Sequence, residues 1–356
     1  MLKDSKRLYF VGIGGIGMSA IARLCLGMGR EVAGSDMRRS ETVEDLIAMG
    51  ARINIGHRPE NLPQDAEVVI RTEDISEKAP GYVEIKEAES RGIPVVSYSQ
   101  ALGQLMEGSY GIGVSGTNGK STTTAILGLI LEAADLDPTV VVGSKISLLN
   151  SSKKFKGNAR LGNGRYFVAE ADEYHRHMLD ARPNMIVLTN VAEDHLDYYQ
   201  GLSDIMAAFS EYVGRLPKDG MVIYNADDHH AVEIGRGAAC HKFTFGIDHY
   251  ADLQAINLAP SEGKQAFDLH YKDEFIGKVE LRVPGKFNVA NALGAALAAL
   301  KLGVVPELII RVLNGYAGIW RRFEKAGLFM GIPVISDYGH HPAGVKGTIG
   351  AAKEFF

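Results

Sequence analysis

Cysteine is scarce in this chain. Its 356 residues hold two, Cys25 and Cys240. Two thiols so far apart in sequence exclude a disulfide scaffold and fit a reducing compartment. Long apolar runs are missing as well. The stretch from Ala292 to Val305 is broken by Lys301, and no segment reaches membrane-spanning length. The N-terminus enters a strand pattern at Arg7–Val11 without a signal-peptide cleavage pattern, so a cytoplasmic protein is expected. Neither sign of charge dominates. A net charge of −5 argues against a broad nucleic-acid-binding surface, yet leaves room for a small basic pocket that holds a phosphorylated ligand. Neither a fixed-period repeat nor a low-complexity tract is present. What is plentiful is glycine, 41 residues, within a composition that is 46% apolar. That balance fits a well-buried α/β protein with many tight strand–helix turns. The length calls for two or three domains.

The most informative stretch is Gly116-Thr117-Asn118-Gly119-Lys120-Ser121-Thr122, between an apolar run, Tyr110 to Val114, and a helical pattern, Ala125 to Ala133. Strand, glycine loop, Lys-Ser and helix is the layout that cradles a nucleotide phosphate tail. Glycines let backbone N–H groups approach the oxygens, the helix N-terminus adds positive potential, Lys120 reaches the outer phosphates, and Ser121 can ligate Mg²⁺. The general P-loop pattern wants glycine where this chain has Val114. The alternative is a Gly-rich turn at a helix start.

Upstream, strand Leu8–Val11 leads into Gly12-Ile13-Gly14-Gly15-Ile16-Gly17 and a helix, and the next strand ends at Ser35-Asp36. This is the dinucleotide-binding fingerprint, with an acid about 20 residues further on. Its default ligand is NAD(P). Helix Glu41–Met49, strands Ala51–Ile53 and Val68–Ile70, helix Tyr82–Ser90 and strand Val95–Val96 continue a doubly wound alternation. Two later strands end in ionisable groups: Tyr166–Ala169 runs into Glu170-Ala171-Asp172-Glu173, and Met185–Leu188 into Thr189-Asn190 and then Asp194-His195-Leu196-Asp197. Acids at the carboxyl edge of an open α/β sheet stand where ligands bind. A solvated acidic loop is the plain alternative. Phe267–Tyr271 and Glu274–Val283 read as an antiparallel hairpin at the sheet edge. Asn288 opens a small-residue helix and has the chemistry of an N-cap. From Arg321 a further α/β unit begins, too short to bury a core of its own.

The compact Gly-Thr-x-Gly-Lys-Ser-Thr loop, Glu-Ala-Asp-Glu at 170–173, Thr-Asn-Val-Ala-Glu-Asp-His-Leu-Asp at 189–197, Asn288 and Asn291, Arg321-Arg322-Phe323-Glu324 and Asp337-Tyr338-Gly339-His340-His341-Pro342 occur in one order, from Gly12 to Pro342. In this the chain resembles the Mur ligases, ATP-dependent amide-bond ligases of peptidoglycan precursor synthesis. Within them it is most like those that join L-alanine to UDP-N-acetylmuramate. The resemblance implies three α/β domains: an N-terminal Rossmann-like parallel sheet that binds UDP-sugar (1–107), a central P-loop ATPase domain (108–315), and the start of a third Rossmann-like domain (316–356), with a chain that ligates poorly by itself. It implies ATP and Mg²⁺ as cofactors. Gly116, Thr117, Asn118, Gly119, Lys120, Ser121, Thr122, Asn288, Asn291, Arg322 and Asp337 would hold ATP. Ser121, Glu170 and His195 would hold metal, and Lys120, Glu170 and His195 would carry catalysis. Gly12, Gly14, Gly15, Ile16, Gly17, Ser35, Asp36 and His57 would face the UDP-sugar, and His340 and His341 the amino acid. Expected partners are these small molecules, with no nucleic acid and no membrane, on a monomer or homodimer.

The chain departs from the family pattern at Asn118, Phe287, Tyr174–His177, Arg71–Asp74 and Gly344. These leave the ligase class intact and bear on the exact substrate, with a murein-tripeptide ligase as the neighbouring reading. A nicotinamide oxidoreductase built on Gly12–Gly17, or a remnant that only binds nucleotide, are the alternatives of another class. The first leaves the P-loop and both acidic strand ends unexplained.

Overall fold

The computed structural model describes residues 2–73, 75–146, 155, 157–261, 263–339 and 342–355. By internal contacts the chain forms two units. One comprises residues 2–108 with 157–161, the other residues 109–146 with 162–355.

In the first unit the strands are β1 (Arg7–Val11), β2 (Glu31–Asp36), β3 (Arg52–Ile55), β4 (Val68–Arg71) and β5 (Val95–Ser97). Between and after them lie α1 (Ile16–Gly27), α2 (Glu41–Ala48), α3 (Tyr82–Ser90) and α4 (Tyr98–Met106). The sheet order is β3-β2-β1-β4-β5 and every pairing is parallel. Leu8, Tyr9, Phe10 and Val11 are all buried, as a central parallel strand covered on both faces requires. β1 has β2 on one side and β4 on the other, so the chain order reverses at its carboxyl end. The loop that follows β1 therefore sits at the switch point where open α/β sheets bind ligands. α4 starts on a capping box of Ser97 and Gln100. α1 starts on Gly15 with no side-chain cap, which leaves its first N–H groups unsatisfied by a cap.

The second unit begins with β6 (Tyr110–Ser115), α5 (Lys120–Ala133) and β7 (Thr139–Val141). The two-residue strand β8 (Ala159–Arg160) falls in the segment that clusters with the first unit. Then come β9 (Tyr166–Ala171), β10 (Met185–Leu188), α6 (Leu202–Gly214), β11 (Met221–Asn225), α7 (His229–Gly237), β12 (His241–Gly246), β13 (Leu253–Ser261), β14 (Lys264–Tyr271) and β15 (Glu274–Leu281). α8 (Lys286–Lys301), α9 (Pro306–Gly315), β16 (Glu324–Phe329), β17 (Ile332–Ser336) and α10 (Pro342–Phe355) complete it.

The large sheet carries, in order, β15-β14-β13-β12-β11-β10-β6-β9-β7. It is parallel from β7 to β13, and β13, β14 and β15 are antiparallel, so the edge hairpin read from the sequence is present. α8 packs on α5 and on β10 to β13. Its alanines 292, 295, 296, 298 and 299 are fully buried, because only a small side chain lets a helix approach so closely. Residues from 316 onward cluster with this unit. Trp320 N–H donates to Lys145 O at 3.0 Å and Ser144 Oγ to Trp320 O at 2.6 Å. Gln265 Nε2 also donates to Glu354 Oε2 at 2.6 Å.

Two local expectations are corrected. α5 starts at Lys120, not Ala125, since Gly119 at φ +89° turns the chain directly into the helix. Ser121 to Thr124 are all buried, so no amphipathic period marks that first turn. Asn288 is not the N-cap of α8. Gly285 is, and Asn288 lies in the first turn with Nδ2 donating to Pro284 O at 2.7 Å. Among the described residues no helix is long and apolar enough to cross a membrane.

Candidate functional site

In the second unit β6 delivers Gly116–Gly119 to the carboxyl edge of the sheet, between β9 and β10. The loop is fastened to the end of β10. Thr117 N–H donates to Asn190 O at 2.9 Å and Asn118 N–H to Asn190 Oδ1 at 3.0 Å. Asn190 Nδ2 and Thr189 Oγ1 both return to Asn118 O, at 2.8 and 2.6 Å. Asn118 thus uses its backbone to hold the loop.

Lys120 bends back over the loop. Its Nζ donates to Gly116 O at 2.7 Å and to Glu173 Oε2 at 2.6 Å. Burial disfavours the ammonium, but Glu173, Asp172 and Glu170 outweigh it and hold the group above its ordinary range. Burial pushes both Glu170 and Glu173 up. Ser121 Oγ donates to Glu170 Oε2 at 3.1 Å, Gly143 N–H donates to the same carboxylate, and Arg322 Nη2 reaches Ser121 Oγ at 3.4 Å. Lys120, Ser121, Glu170 and Arg322 therefore meet where the loop enters α5.

Asp172, Glu173 and His195 bring ligand atoms within 4.8 Å of one another. Glu173 Oε1 is buried with no hydrogen-bond partner among the described residues. A buried carboxylate oxygen left open beside a second acid and an imidazole is a donor set that suits a divalent cation. His195 thus lies with Asp172 and Glu173, while Ser121 pairs with Glu170. Asp197 turns to Tyr174, accepting from its hydroxyl at 2.7 Å, and Asp194 accepts from the His195 N–H at 2.6 Å.

A cavity of about 320 Å³ opens beside the loop. Asn118, Gly119, Thr122, Asn288, Asn291, Arg322 and Asp337 line it, so residues from four separate stretches of sequence converge there. Its size falls in the range of small-molecule sites. Phe245, Phe287 and Asn225 add apolar and amide surface that suits a base. Asp337 is fixed from three directions: it accepts from Phe323 N–H at 2.8 Å, Gly339 N–H at 2.7 Å and Thr348 Oγ1 at 3.0 Å. His340 and His341 lie outside the described residues.

In the first unit the Gly12–Gly17 loop is tied to the end of β2. Gly12 and Ile13 N–H donate to Ser35 O, and Gly14 N–H donates to Asp36 Oδ2 at 2.8 Å. A Cβ at Gly14 would lie 2.8 Å from that same oxygen, so a larger residue would push the Asp36 carboxylate out of this contact. Asp36 Oδ1 accepts from Arg38 N–H at 3.1 Å. The acid shapes the loop and keeps one lone pair on each oxygen for a ligand. Ser35 and His57 meet on Glu84 of α3, a fully buried carboxylate that also accepts from Asn61 Nδ2 at 2.9 Å and Arg58 N–H at 3.1 Å.

Burial opposes the charge of Glu84. The hydrogen bonds from His57, Ser35, Asn61 and Arg58 outweigh it and hold the carboxyl below the ordinary carboxylate range. The sign is therefore fixed. Glu84 stabilises the fold above the carboxylate range, and this contribution is lost as pH falls through it. Glu84→Gln is expected to cost about 1–3 kcal/mol near neutral pH. Melting curves of both proteins should converge as pH falls below the ordinary carboxylate range. A gap independent of pH would refute the ionised role.

Sequence reasoning missed Glu173, Glu84, Asn190 and Phe245 as members of these sites. For Glu173 there was a signal, the last acid of the 170–173 run. For Glu84 there was none, because it is one of several acids on an amphipathic helix.

Residues 114–299 match the model of the Mur ligase middle domain, and residues 7–110 match that described as Mur ligase family, catalytic domain. The chain is 39% identical over 356 residues to the UDP-N-acetylmuramate–L-alanine ligase of Clostridium novyi, covering 99% of this chain and 75% of that protein. It is also 39% identical to the enzyme of that name from Trichlorobacter lovleyi, over 99% of this chain and 75% of that one. Among solved structures it is similar to the UDP-N-acetylmuramate–alanine ligase of Thermotoga maritima, with a TM-score of 0.84 and 29% identity over 98% of this chain and 78% of that one. A murein peptide ligase from Psychrobacter arcticus gives a TM-score of 0.82 at 25% identity, over 98% and 76% of the two chains.

Proposed function

The chain belongs to the Mur ligase family, and from this membership we propose that it joins L-alanine to UDP-N-acetylmuramate at the expense of ATP. The observation that carries the reading is the meeting of Lys120, Ser121, Glu170 and Arg322 beside the cavity that Asn288, Asn291 and Asp337 also line. The first unit, with Gly12, Gly14, Gly15, Ile16 and Gly17 at its switch point and Ser35, Asp36 and His57 around them, takes the UDP-sugar. A carboxylate oxygen of that sugar attacks the γ-phosphorus of ATP, the bond to the β–γ bridging oxygen breaks, and ADP leaves. The amine of alanine then attacks the acyl-phosphate carbonyl, and inorganic phosphate departs as the amide forms and the amine gives up its proton.

In the first step two anions approach each other. Lys120 and Arg322 offset that repulsion and steady charge on the transferring phosphoryl oxygens. Ser121 with Glu170, and Asp172 and Glu173 with His195, would hold Mg²⁺. Bound there, the metal supplies positive charge against the phosphate oxygens. The adenine side falls to Asn225, Phe245, Phe287 and Asn288. The substrates fit a cytoplasmic enzyme working as a monomer or homodimer.

A murein peptide ligase is the second reading, favoured by Tyr174–His177, which form a 3-10 turn with His175 and Arg176 in left-handed backbone next to His195. ATP-dependent phosphate release, screened over UDP-sugars and over alanine against tripeptide, tests both. Release with UDP-N-acetylmuramate and alanine supports the first, and release only with tripeptide the second. No release with any combination, together with no ATP binding, refutes both.

Glu170→Gln and His195→Ala are each expected to raise the Mg²⁺ concentration needed for half-maximal activity, about tenfold or more, since each removes one ligand of a weakly held ion. An unchanged Mg²⁺ dependence in both variants would show the metal assignment to be wrong.

A further inference from the structure

Ser35, His57 and Glu84 form a closed hydrogen-bond triangle. Ser35 Oγ lies 2.5 Å from Glu84 Oε2, and His57 Nδ1 lies 2.9 Å from Ser35 Oγ and 3.2 Å from Glu84 Oε2. Glu84 is held ionised, so its oxygens only accept. The single hydroxyl proton of Ser35 must then point at Glu84, because two bare oxygens would not approach so closely. That leaves Ser35 Oγ only lone pairs for His57. Both neighbours of Nδ1 are acceptors, so Nδ1 carries the proton. The tautomer follows from the network.

Nε2 makes no hydrogen bond among the described residues. The ring stands just past the end of β3, at the same sheet edge as the Gly12–Gly17 loop and beside Ser35 near the end of β2. With Nδ1 holding a proton, an uncharged ring would offer Nε2 as a lone pair. Such a nitrogen accepts from an O–H or N–H group and repels a phosphate oxygen.

We propose that Glu84 and Ser35 are positioning residues for UDP-sugar binding, which lock His57 so that Nε2 accepts a hydrogen bond from the ligand's nucleoside, a ribose hydroxyl or the uracil imide N–H, and not from its diphosphate. This rests on the reading of the first unit as the UDP-sugar site. It goes beyond that reading by giving His57 an acceptor role toward one part of the ligand, and by giving Glu84 a function besides stability. The diphosphate is then left to the backbone N–H groups of the glycine loop.

Two measurements on the full chain test it. Nitrogen-15 NMR of the His57 ring reads the tautomer directly. Nδ1 is expected to carry the proton in the wild type, and in Glu84→Gln, where an amide N–H can face the ring, the Nε2-protonated form is expected to gain population. A wild-type ring protonated on Nε2, alone or together with Nδ1, overturns the proposal whatever the variants do. Calorimetry then uses uridine diphosphate, its 2′-deoxy analogue and its N3-methyl analogue. His57→Ala is expected to weaken uridine diphosphate about five- to tenfold, the range for one lost neutral hydrogen bond. One analogue should lose a similar factor on the wild type and nothing further on His57→Ala, which identifies the donor. Glu84→Gln combined with His57→Ala should bind no worse than His57→Ala alone, because Glu84 acts through the ring. Loss that adds fully in the double variant, or analogues that lose equally on wild type and His57→Ala, overturns the proposal. Melting temperatures of the same samples separate unfolding from weakened binding. If the wild type ignores uridine diphosphate and UDP-N-acetylmuramate alike, the assignment of the first unit fails, while the NMR result still decides the tautomer.

Discussion

Lys120→Ala is expected to lower ATP turnover by at least about 10²–10³-fold, the range for removing a key electrostatic contact to a transition state. Lys120 bends back over the proposed phosphate loop, where its Nζ donates to Gly116 O at 2.7 Å. The structure adds a second consequence. Lys120 and Glu173 form an ion pair at 2.6 Å with side chains 17% and 1% exposed. Alanine leaves Glu173 buried without its partner, and breaking such a pair costs about 3–5 kcal/mol, less whatever Glu173 recovers by taking up a proton. Loss of turnover must therefore be separated from loss of fold. Lys120→Ala with Glu173→Gln removes both charges and should regain much of the lost stability without regaining turnover. UDP-sugar affinity should stay near wild type in both variants, since the sites proposed for the two ligands lie in separate units. Turnover by Lys120→Ala within a factor of two of wild type would sink the P-loop assignment.

The second large effect is expected at Gly116. Its φ of +134° is a conformation that L side chains rarely adopt. A Cβ there would lie 2.2 Å from Thr189 Oγ1 and 2.8 Å from Asn190 O. The second contact is backbone and cannot rotate away. Gly116→Ala combines strain of about 1–3 kcal/mol with an overpacking cost of about 1–3 kcal/mol. Relief requires the loop to move off the end of β10, breaking the bonds from Thr117 and Asn118 to Asn190. A shift of about 1 Å in a positioning element costs about 10²-fold in rate. ATP affinity and turnover should both fall by that order, with a lower melting temperature. Gly214→Ala is the control. It sits at the end of α6 with nothing within 4 Å of an added Cβ, and should be neutral or slightly stabilising. Equal ATP affinity for Gly116→Ala and wild type would mean that the loop does not touch the phosphates.

Much of this molecule was legible in its sequence because the signals are short and local. The Gly12–Gly17 and Gly116–Ser121 loops each stand between one strand and one helix, so their place at the carboxyl edge of a parallel sheet follows from neighbouring residues alone. The edge hairpin of β14 and β15 was readable from alternation and a polar turn, and the alanine-rich face of α8 from composition. Where the first turn of α5 lay was hidden, because Ser121 to Thr124 are all buried and carry no amphipathic period.

What the sequence determined by itself was the set of elements, the glycine loops that open them, and the family pattern that runs from Gly12 to Pro342. Only the tertiary structure decided which distant side chains meet. Glu173 pairs with Lys120, Asn190 clasps Asn118, Glu84 holds His57, and Arg322 reaches Ser121. The reason is geometric. Backbone conformation is set largely by near neighbours in sequence. Strand order and helix packing bring residues far apart in the chain within hydrogen-bond distance, and a carboxylate on a helix looks the same in sequence whether it ends in water or beneath an imidazole.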